Sequence, residues 1–449
     1  MKVAKFGGSS VANETQIQKV AQIIKSDQNR KFIVVSAPGK RDNNDIKVTD
    51  LLLSLAEAYT SNQDYKQPFE QIMKRFSDII AGLNIPASLL TEIDKQINAI
   101  LSSNLDNDMK VESLKAVGED SSAKILSAYL NSIGIKASYV NPKEAGIIVS
   151  NEPGNAQILP ESFPKIYTLR QREGVLIIPG FFGYTEDGQL MTFSRGGSDI
   201  TGSIIAAGVK ATLYENFTDV DSVFTVNPNI VDNPKEITTL TYREMRELSY
   251  AGFSVFHDEA LIPAFREKIP VCIKNTNNPT GRGTMIVSER EPDENCVVGI
   301  ASDTGFCSLY VSKYLMNREL GFGRRLLSIL EDESISFEHA PSGIDDISVI
   351  MRANQLTKEK ENIIINRIKE ELKADTVSIH RGLALIMVVG EGMASTVGIA
   401  HSATKALAEA KVNIEMINQG SSEVSLMFGI QEKDLERAIQ SLYHTFFES

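Results

Sequence analysis

Along the first half of the chain, apolar and polar positions alternate between two periods. "KVAKF" near the N-terminus and "FIVVSA" (Phe32–Ala37) are short β-rich runs, the mark of strands buried on both faces. Between them, "NETQIQKVAQIIKS" sets Ile17, Val20, Ala21 and Ile24 at i, i+3, i+4 and i+7, which predicts an amphipathic helix. Strand, helix and strand at this spacing make a βαβ unit, hence a parallel sheet with right-handed crossovers. A mainly helical stretch runs from about Asp50 to Ile133, followed by strands at "KASYV" and "GVLIIPGFFG" (Gly174–Gly183). "YTEDGQLMTF" holds Asp187-Gly188 between two alternating runs, which predicts a hairpin with a type I′ turn. "ATLYENFTD" (Ala211–Asp219) and "IPVCIKN" (Ile269–Asn275) supply two more strands, the second expected to be the last of its domain. The expected fold class is α/β, a three-layer αβα sandwich around a mostly parallel sheet.

Residues 276–296 concentrate Pro, Gly, Asn and charge and read as a linker. Beyond them the pattern repeats itself. "ISFEHAPSGIDDISVIM" (Ile335–Met351) aligns without gaps on "VNIEMINQGSSEVSLMF" (Val412–Phe428), with Glu338/Glu415, Gly343/Gly420 and Ser348/Ser425 identical. Each unit reads strand, helix, strand, strand, helix. The first ends with a strand at "DTVSIH", whereas the second runs out of chain one strand short. "CVVGIA" (Cys296–Ala301) is a strand with no other home. It is expected to complete the second unit, which places the first as an insertion within it. The expected domains are 1–285, a linker and strand at 286–302, and repeats at 303–381 and 382–449.

Composition narrows the function. A formal net charge of −12 over 449 residues argues against a nucleic-acid or anionic-membrane partner, since either needs a basic face. No apolar run approaches the roughly 20 residues of a membrane helix, and no signal-peptide pattern opens the chain. Cys272, Cys296 and Cys307 show no CxxC spacing and are too few for a disulfide framework. They read as packing residues in a cytoplasmic protein.

Three stretches carry candidate chemistry. In "KFGGSS", backbone N–H groups around a glycine turn make an anion-binding concavity, and Lys5 adds a point charge at its lip. No GxxxxGK[ST] occurs, and no GxGxxG follows a strand, which disfavours the common P-loop and a dinucleotide site. "TFSRGGSDITGS" (Thr192–Ser203) again sets glycines between strand and helix, now beside Arg195, a residue suited to clamping a carboxylate. Asp199 is either the N-cap of the following helix or the holder of Lys5 or of a metal-bound water. "ENFTDVDSVFTVNPN" (Glu215–Asn229) follows a strand end, where open α/β sheets gather ligands; an adenine or ribose site and an ordinary surface loop both fit.

"KFGGSS", "VVSAPG", "VGED", "FSRGGSDITG" and "TDVDSVFTVNP" stand in the order found in aspartokinases, and the chain resembles that family over essentially its whole length. The resemblance implies the amino-acid kinase fold followed by two ferredoxin-like βαββαβ ACT domains. It implies ATP-dependent phosphorylation of the β-carboxylate of L-aspartate, the first step of lysine, threonine and methionine biosynthesis, with Mg²⁺ held mainly by the ATP phosphates. Lys5 and Asp199 would be catalytic. Ser36, Thr49, Glu119, Arg195 and Ser198 would bind aspartate, with Glu119 on the α-ammonium and Arg195 on the α-carboxylate. Lys5, Gly7, Gly8, Ser9, Gly197, Thr218, Asp219 and Phe224 would bind the nucleotide. A carboxylate acceptor is already ionised at neutral pH, so the lack of histidine in all three stretches is natural.

The chain departs from the family pattern nearby. Many relatives have tyrosine at Phe224, arginine at Asn229, and a lysine-containing run where this chain reads "SVFHD" (Ser254–Asp258). Either Lys274 or another basic residue then substitutes for the two missing cations, or nucleotide affinity is weaker. The ACT repeats imply a homodimer or homotetramer with lysine, threonine or both as effectors, bound by Ser342, Asp345, Asn418 and Gln419. Two other readings remain: a kinase of another small acid such as glutamate or acetylglutamate, and a non-catalytic amino-acid sensor that has kept the kinase shell.

Overall fold

A computed structural model describes residues 1–253, 258–290, 296–420 and 424–448. The chain divides into two units: Met1–Val223 with Glu236–Arg246 and Ser254–Arg290, and Phe224–Lys235 with Glu247–Phe253 and Glu291–Ser449.

The first unit begins β1 (Lys2–Phe6), α1 (Glu14–Ser26), β2 (Arg30–Val35). The Asn13 side chain caps α1 by accepting from the Gln16 N–H at 3.0 Å, and Ile17, Val20, Ala21 and Ile24 are buried as their spacing requires. Four helices follow, α2 (Val48–Thr60), α3 (Lys66–Gly82), α4 (Ser88–Leu101) and α5 (Asn107–Ser132). The chain then forms β3 (Ala137–Tyr139), α6 (Pro142–Ala145), α7 (Ser162–Thr168), β4 (Val175–Pro179), β5 (Phe182–Tyr184) and β6 (Leu190–Thr192). It continues through α8 (Gly197–Gly208), β7 (Leu213–Thr218), β8 (Val223–Phe224), β9 (Glu236–Ile237) and β10 (Thr239–Thr241). After α9 (Tyr242–Tyr250) come α10 (Ile262–Arg266), β11 (Val271–Asn275) and β12 (Thr284–Val287).

Eight of these strands form one sheet in the order β10-β12-β11-β7-β1-β2-β4-β3. Every pair is parallel except β11 with β12. β1 sits in the interior between β7 and β2. Val3, Ala4, Phe6 and the Phe32–Val35 run are all fully buried, which is why these strands read as unbroken apolar runs. The Phe6 and Phe217 rings stack across them at 4.9 Å.

Two expectations need correction. The Asp187-Gly188 connection is wider than a two-residue turn: Gly188 N–H donates to Thr185 O at 2.9 Å and only Gly188 is left-handed, at φ +84°. A type I′ turn needs positive φ at both central residues. The stretch 276–296 is no simple linker either. It contains β12, whose four apolar and β-branched residues lie hidden between Gly/Pro-rich and charged flanks, so "IPVCIKN" is not the last strand.

The second unit carries β13 (Gly299–Ser312), α11 (Phe322–Asp332), β14 (Asp346–Arg352), α12 (Lys358–Glu371) and β15 (Thr376–Val389). Then follow α13 (Ile399–Glu409), β16 (Met416–Gln419), β17 (Ser425–Gln431) and α14 (Leu435–Tyr443). The antiparallel sheet runs β14-β13-β15-β17-β16. β13 is shared between the two halves: Gly299–Asp303 pairs with Leu385–Val389, while Phe306–Ser312 pairs with β14 and with the start of β15. One core gathers Leu326, Val349, Ile364 and Ile368, the other Ile386, Leu407, Phe428 and Leu442. Among the described residues no helix is long and apolar enough to cross a membrane. All three cysteines are free thiols.

Candidate active site

The carboxyl ends of β1, β2, β4 and β7 open into one cavity of about 720 Å³, where ligands of open α/β sheets collect. Lys5, the penultimate residue of β1, is 7 % exposed, and its Nζ lies 2.5 Å from Asp199 Oδ1. Asn216, opposite Lys5 in the β1–β7 register, donates its amide to the same oxygen at 2.7 Å. Asp199 is not the N-cap of α8. That position belongs to Gly196, left-handed at φ +76°, and the Asp199 carboxylate faces Lys5 instead. Sequence reasoning missed Asn216, because an amide inside a strand reads as filler until its cross-strand neighbour is known.

The glycine turn after β1 has backbone packed directly on it. Gly39 N–H donates to Gly8 O at 2.8 Å, and a Cβ on Gly39 would lie 2.6 Å from the Gly8 carbonyl carbon. Gly39→Ala is therefore expected to force the two loops apart, at a cost of about 1–3 kcal/mol, and to raise the KM for ATP. Denaturant unfolding with steady-state kinetics checks this; unchanged stability and KM would contradict the stacking. On the far wall, Phe181 lines the cavity with φ +79°, a costly conformation for a bulky residue, and a Cβ on Gly197 would meet its ring at 2.5 Å.

Glu119 lies in the middle of α5 and is 5 % exposed, and its Oε2 has no hydrogen-bond partner. Burial pushes its carboxyl up to about 8, offset only in part by the backbone N–H groups of Ala37 and of Glu119 itself. A buried carboxyl without a counter-charge calls for a cationic partner.

Ser9, Ser36, Thr49, Gly7, Gly8, Gly197, Ser198, Thr218 and Asp219 also line the cavity, so residues spread over more than 210 positions converge on it. Thr218 Oγ1 donates to Asp219 Oδ1 at 3.1 Å. Three expected residues are placed otherwise. Arg195 is exposed, immediately before Gly196 at the rim, and is not among the lining residues. Phe224 is half-buried on β8 and does not line the cavity either. Lys274 is half-buried on β11, also off the cavity, and the Ser254–His257 run lies outside the described residues. Sequence reasoning missed Lys40, Arg41 and Lys47, which do line the cavity. Their signal was the basic run "GKRDNNDIK" after the second strand.

In the second unit, Ser342 lines a cleft of about 560 Å³ together with Tyr310, Asp346, His380 and Glu415. Asp345 instead accepts the Leu315 N–H at 2.7 Å, a local turn contact. Asn418 sits on the edge strand β16 with its amide 3.3 Å from His339 Nδ1, and Gln419 is exposed beside it; neither lines the cleft.

Residues 1–275 match the model of the amino acid kinase family, and residues 386–446 match an ACT domain. The chain is 57 % identical to aspartokinase 3 of Bacillus subtilis, covering 100 % of this chain and 99 % of that one. The crystal structure of Clostridium acetobutylicum aspartate kinase superposes with a TM-score of 0.88 at 40 % identity, covering 99 % of this chain and 100 % of the other. Escherichia coli aspartokinase III, in complex with aspartate and ADP, shares the fold at a TM-score of 0.79 and 23 % identity, with both chains fully covered.

Proposed function

This chain belongs to the amino acid kinase family and, within it, to the aspartokinases; from that premise we propose that it phosphorylates the β-carboxylate of L-aspartate with ATP in the cavity where Lys5 and Glu119 meet. One observation carries this reading. A buried lysine fixed by Asp199 and a buried carboxyl whose Oε2 has no hydrogen-bond partner line the same cavity, one suited to a phosphoryl group and the other to an ammonium.

The acceptor carboxylate, with a reference pKa near 3.9, is ionised and needs no general base. The barrier lies in bringing two anions together, so positioning and charge neutralisation do most of the catalysis. Lys5 stabilises the transferring phosphoryl group, and Asp199 with Asn216 holds the ammonium on target. Backbone and hydroxyl donors of Gly7, Gly8, Ser9, Gly197 and Ser198 surround the phosphates, while Thr218 and Asp219 take the nucleotide. Glu119 pairs with the aspartate ammonium, Ser36 and Thr49 add hydrogen bonds, and Arg195, exposed beside Gly196, takes the α-carboxylate. The donor set fits a magnesium ion that arrives on ATP. Asp199 is already engaged by Lys5, and the exposed carboxylates of Asp42 and Asp219 line the same cavity, where either would reach the ion or its waters. Such an ion would neutralise charge on the phosphate oxygens.

Arg195→Ala is expected to raise the KM for aspartate about 10- to 100-fold with little change in kcat, the loss of a charge-assisted contact. An unchanged KM would reassign the residue. The ACT domain serves allosteric regulation, with lysine, threonine or both as effectors and a homodimer or homotetramer as the assembly. The edge strand β16, where Ile417 is half-exposed, supports such pairing. Inhibition of about 100-fold needs an effector preference of roughly 3 kcal/mol for the inactive state.

A coupled ADP-release assay tests the reading, run with aspartate, glutamate and acetylglutamate, with and without lysine and threonine. Turnover on aspartate alone is expected. Turnover on glutamate but not aspartate would make it a kinase of another acid, and none on any acid would favour a sensor.

A further inference from the structure

The loop that leaves β2 carries Lys40, Arg41, Asp42, Asn43 and Lys47 into the cavity. Arg41 is engaged, with its Nε 2.9 Å from Asp45 and its Nη1 3.7 Å from Asp78. Lys40 and Lys47 are different: both are exposed to the cavity, and neither has a hydrogen bond or ion pair among the described residues. Two unspent ammonium groups therefore stand on one wall of a site built for anions, in a chain whose net charge is −12.

The loop is held from below. Arg75 on α3 is 3 % exposed, and its Nη1 donates to Gly39 O at 2.8 Å while its Nη2 donates to Ile46 O at 3.0 Å and to the Asp45 carboxylate. Val48 N–H closes the loop onto Pro38 O at 3.0 Å, and Gly39 rests on Gly8. A guanidinium buried to bind two carbonyls and a carboxylate of one loop fixes the backbone from which Lys40 and Lys47 project, so the stems of both cations are placed before the ligand arrives.

Position in the sheet selects the ligand. Thr218 ends β7 and Asp219 follows it on one side of β1; the cationic loop follows β2 on the other, with Thr49 at its end. A nucleotide lying from β7 across the glycine turn presents its last phosphate to the β2 side. We propose that Lys40 and Lys47 bind the terminal phosphoryl group of ATP, with Arg75 as a positioning residue. This rests on the kinase reading above.

The test compares the imido analogue of ATP with ADP, each with magnesium, by calorimetry on the full chain. For Lys40→Ala/Lys47→Ala the analogue is expected to bind about 30-fold more weakly or worse, with ADP affinity and the KM for aspartate each within about twofold of wild type. Arg75→Lys, which keeps the charge but loses the three-way grip, is expected to lower the analogue-to-ADP affinity ratio in the same direction, a ratio that simple destabilisation does not move. Equal losses for analogue and ADP, unchanged analogue binding, or a loss confined to aspartate would each overturn the proposal. Failure of the kinase reading shows separately, as wild-type protein that releases no ADP with aspartate.

Discussion

Lys5→Ala is expected to lower kcat by about 10³-fold or more while the protein unfolds at nearly the wild-type denaturant concentration. The size follows from removing the one full charge that β1 places in the cavity, on a side chain buried enough that a fixed cation is worth far more than in solution. The small stability change follows from what remains. Asp199 keeps its Asn216 hydrogen bond and its side chain is 16 % exposed, so its charge is still served by an amide and by solvent. Steady-state kinetics with urea unfolding reads both quantities; activity within tenfold of wild type would remove Lys5 from its role.

Glu119→Gln is expected to raise the KM for aspartate about 10²- to 10³-fold, because an amide cannot counter an ammonium in a buried site. A second signature is specific to the carboxyl. With the free-protein value pushed up to about 8 by burial, the group holds its proton at pH 7. Pairing with the substrate ammonium requires the ionised form, so aspartate binding to wild type should release close to one proton per site near pH 7. Calorimetry in buffers of different ionisation enthalpy counts that proton, and Glu119→Gln should release none. Stability moves with the same group. Unfolding returns Glu119 to its ordinary value near 4.5, so the folded state holds the extra proton between about 4.5 and 8. Stabilisation is complete below that window and is lost as pH rises through it, relative to the Gln variant. A wild-type stability profile parallel to that of Glu119→Gln would show that the carboxyl is not held protonated.

Much of this was legible in the letters, for physical reasons that differ by residue. Lys5 could be placed because strand, lysine and paired glycines leave the chain few geometries. The letters at Asp199 fit an N-cap as well as a holder of Lys5 or of a metal-bound water; the left-handed Gly196 ahead of it puts the residue inside the helix, and the ion pair turns it toward Lys5. Glu119 reads as one acid among many on a helix of low amphipathicity; the resemblance singled it out, and burial gave it a reason. β12 escaped because four apolar residues between Gly/Pro and charge carry too little pattern to outweigh their surroundings. The basic loop escaped for another cause: Lys40 and Lys47 look like ordinary surface lysines until Arg75, more than 25 residues downstream, is seen to clamp their backbone. A guanidinium at a rim, such as Arg195, has a direction that no local pattern encodes.

The central claim is that one cavity brings an ammonium-seeking carboxyl and a phosphate-seeking lysine to the two ends of a single reacting pair. A crystal structure of the protein with aspartate and ADP bound tests it most directly. The account predicts the substrate ammonium within hydrogen-bond distance of Glu119 and its β-carboxylate directed at the space between Lys5 and the terminal phosphate of ADP. Aspartate bound outside this cavity, or bound within it with its ammonium turned away from Glu119, would contradict the account.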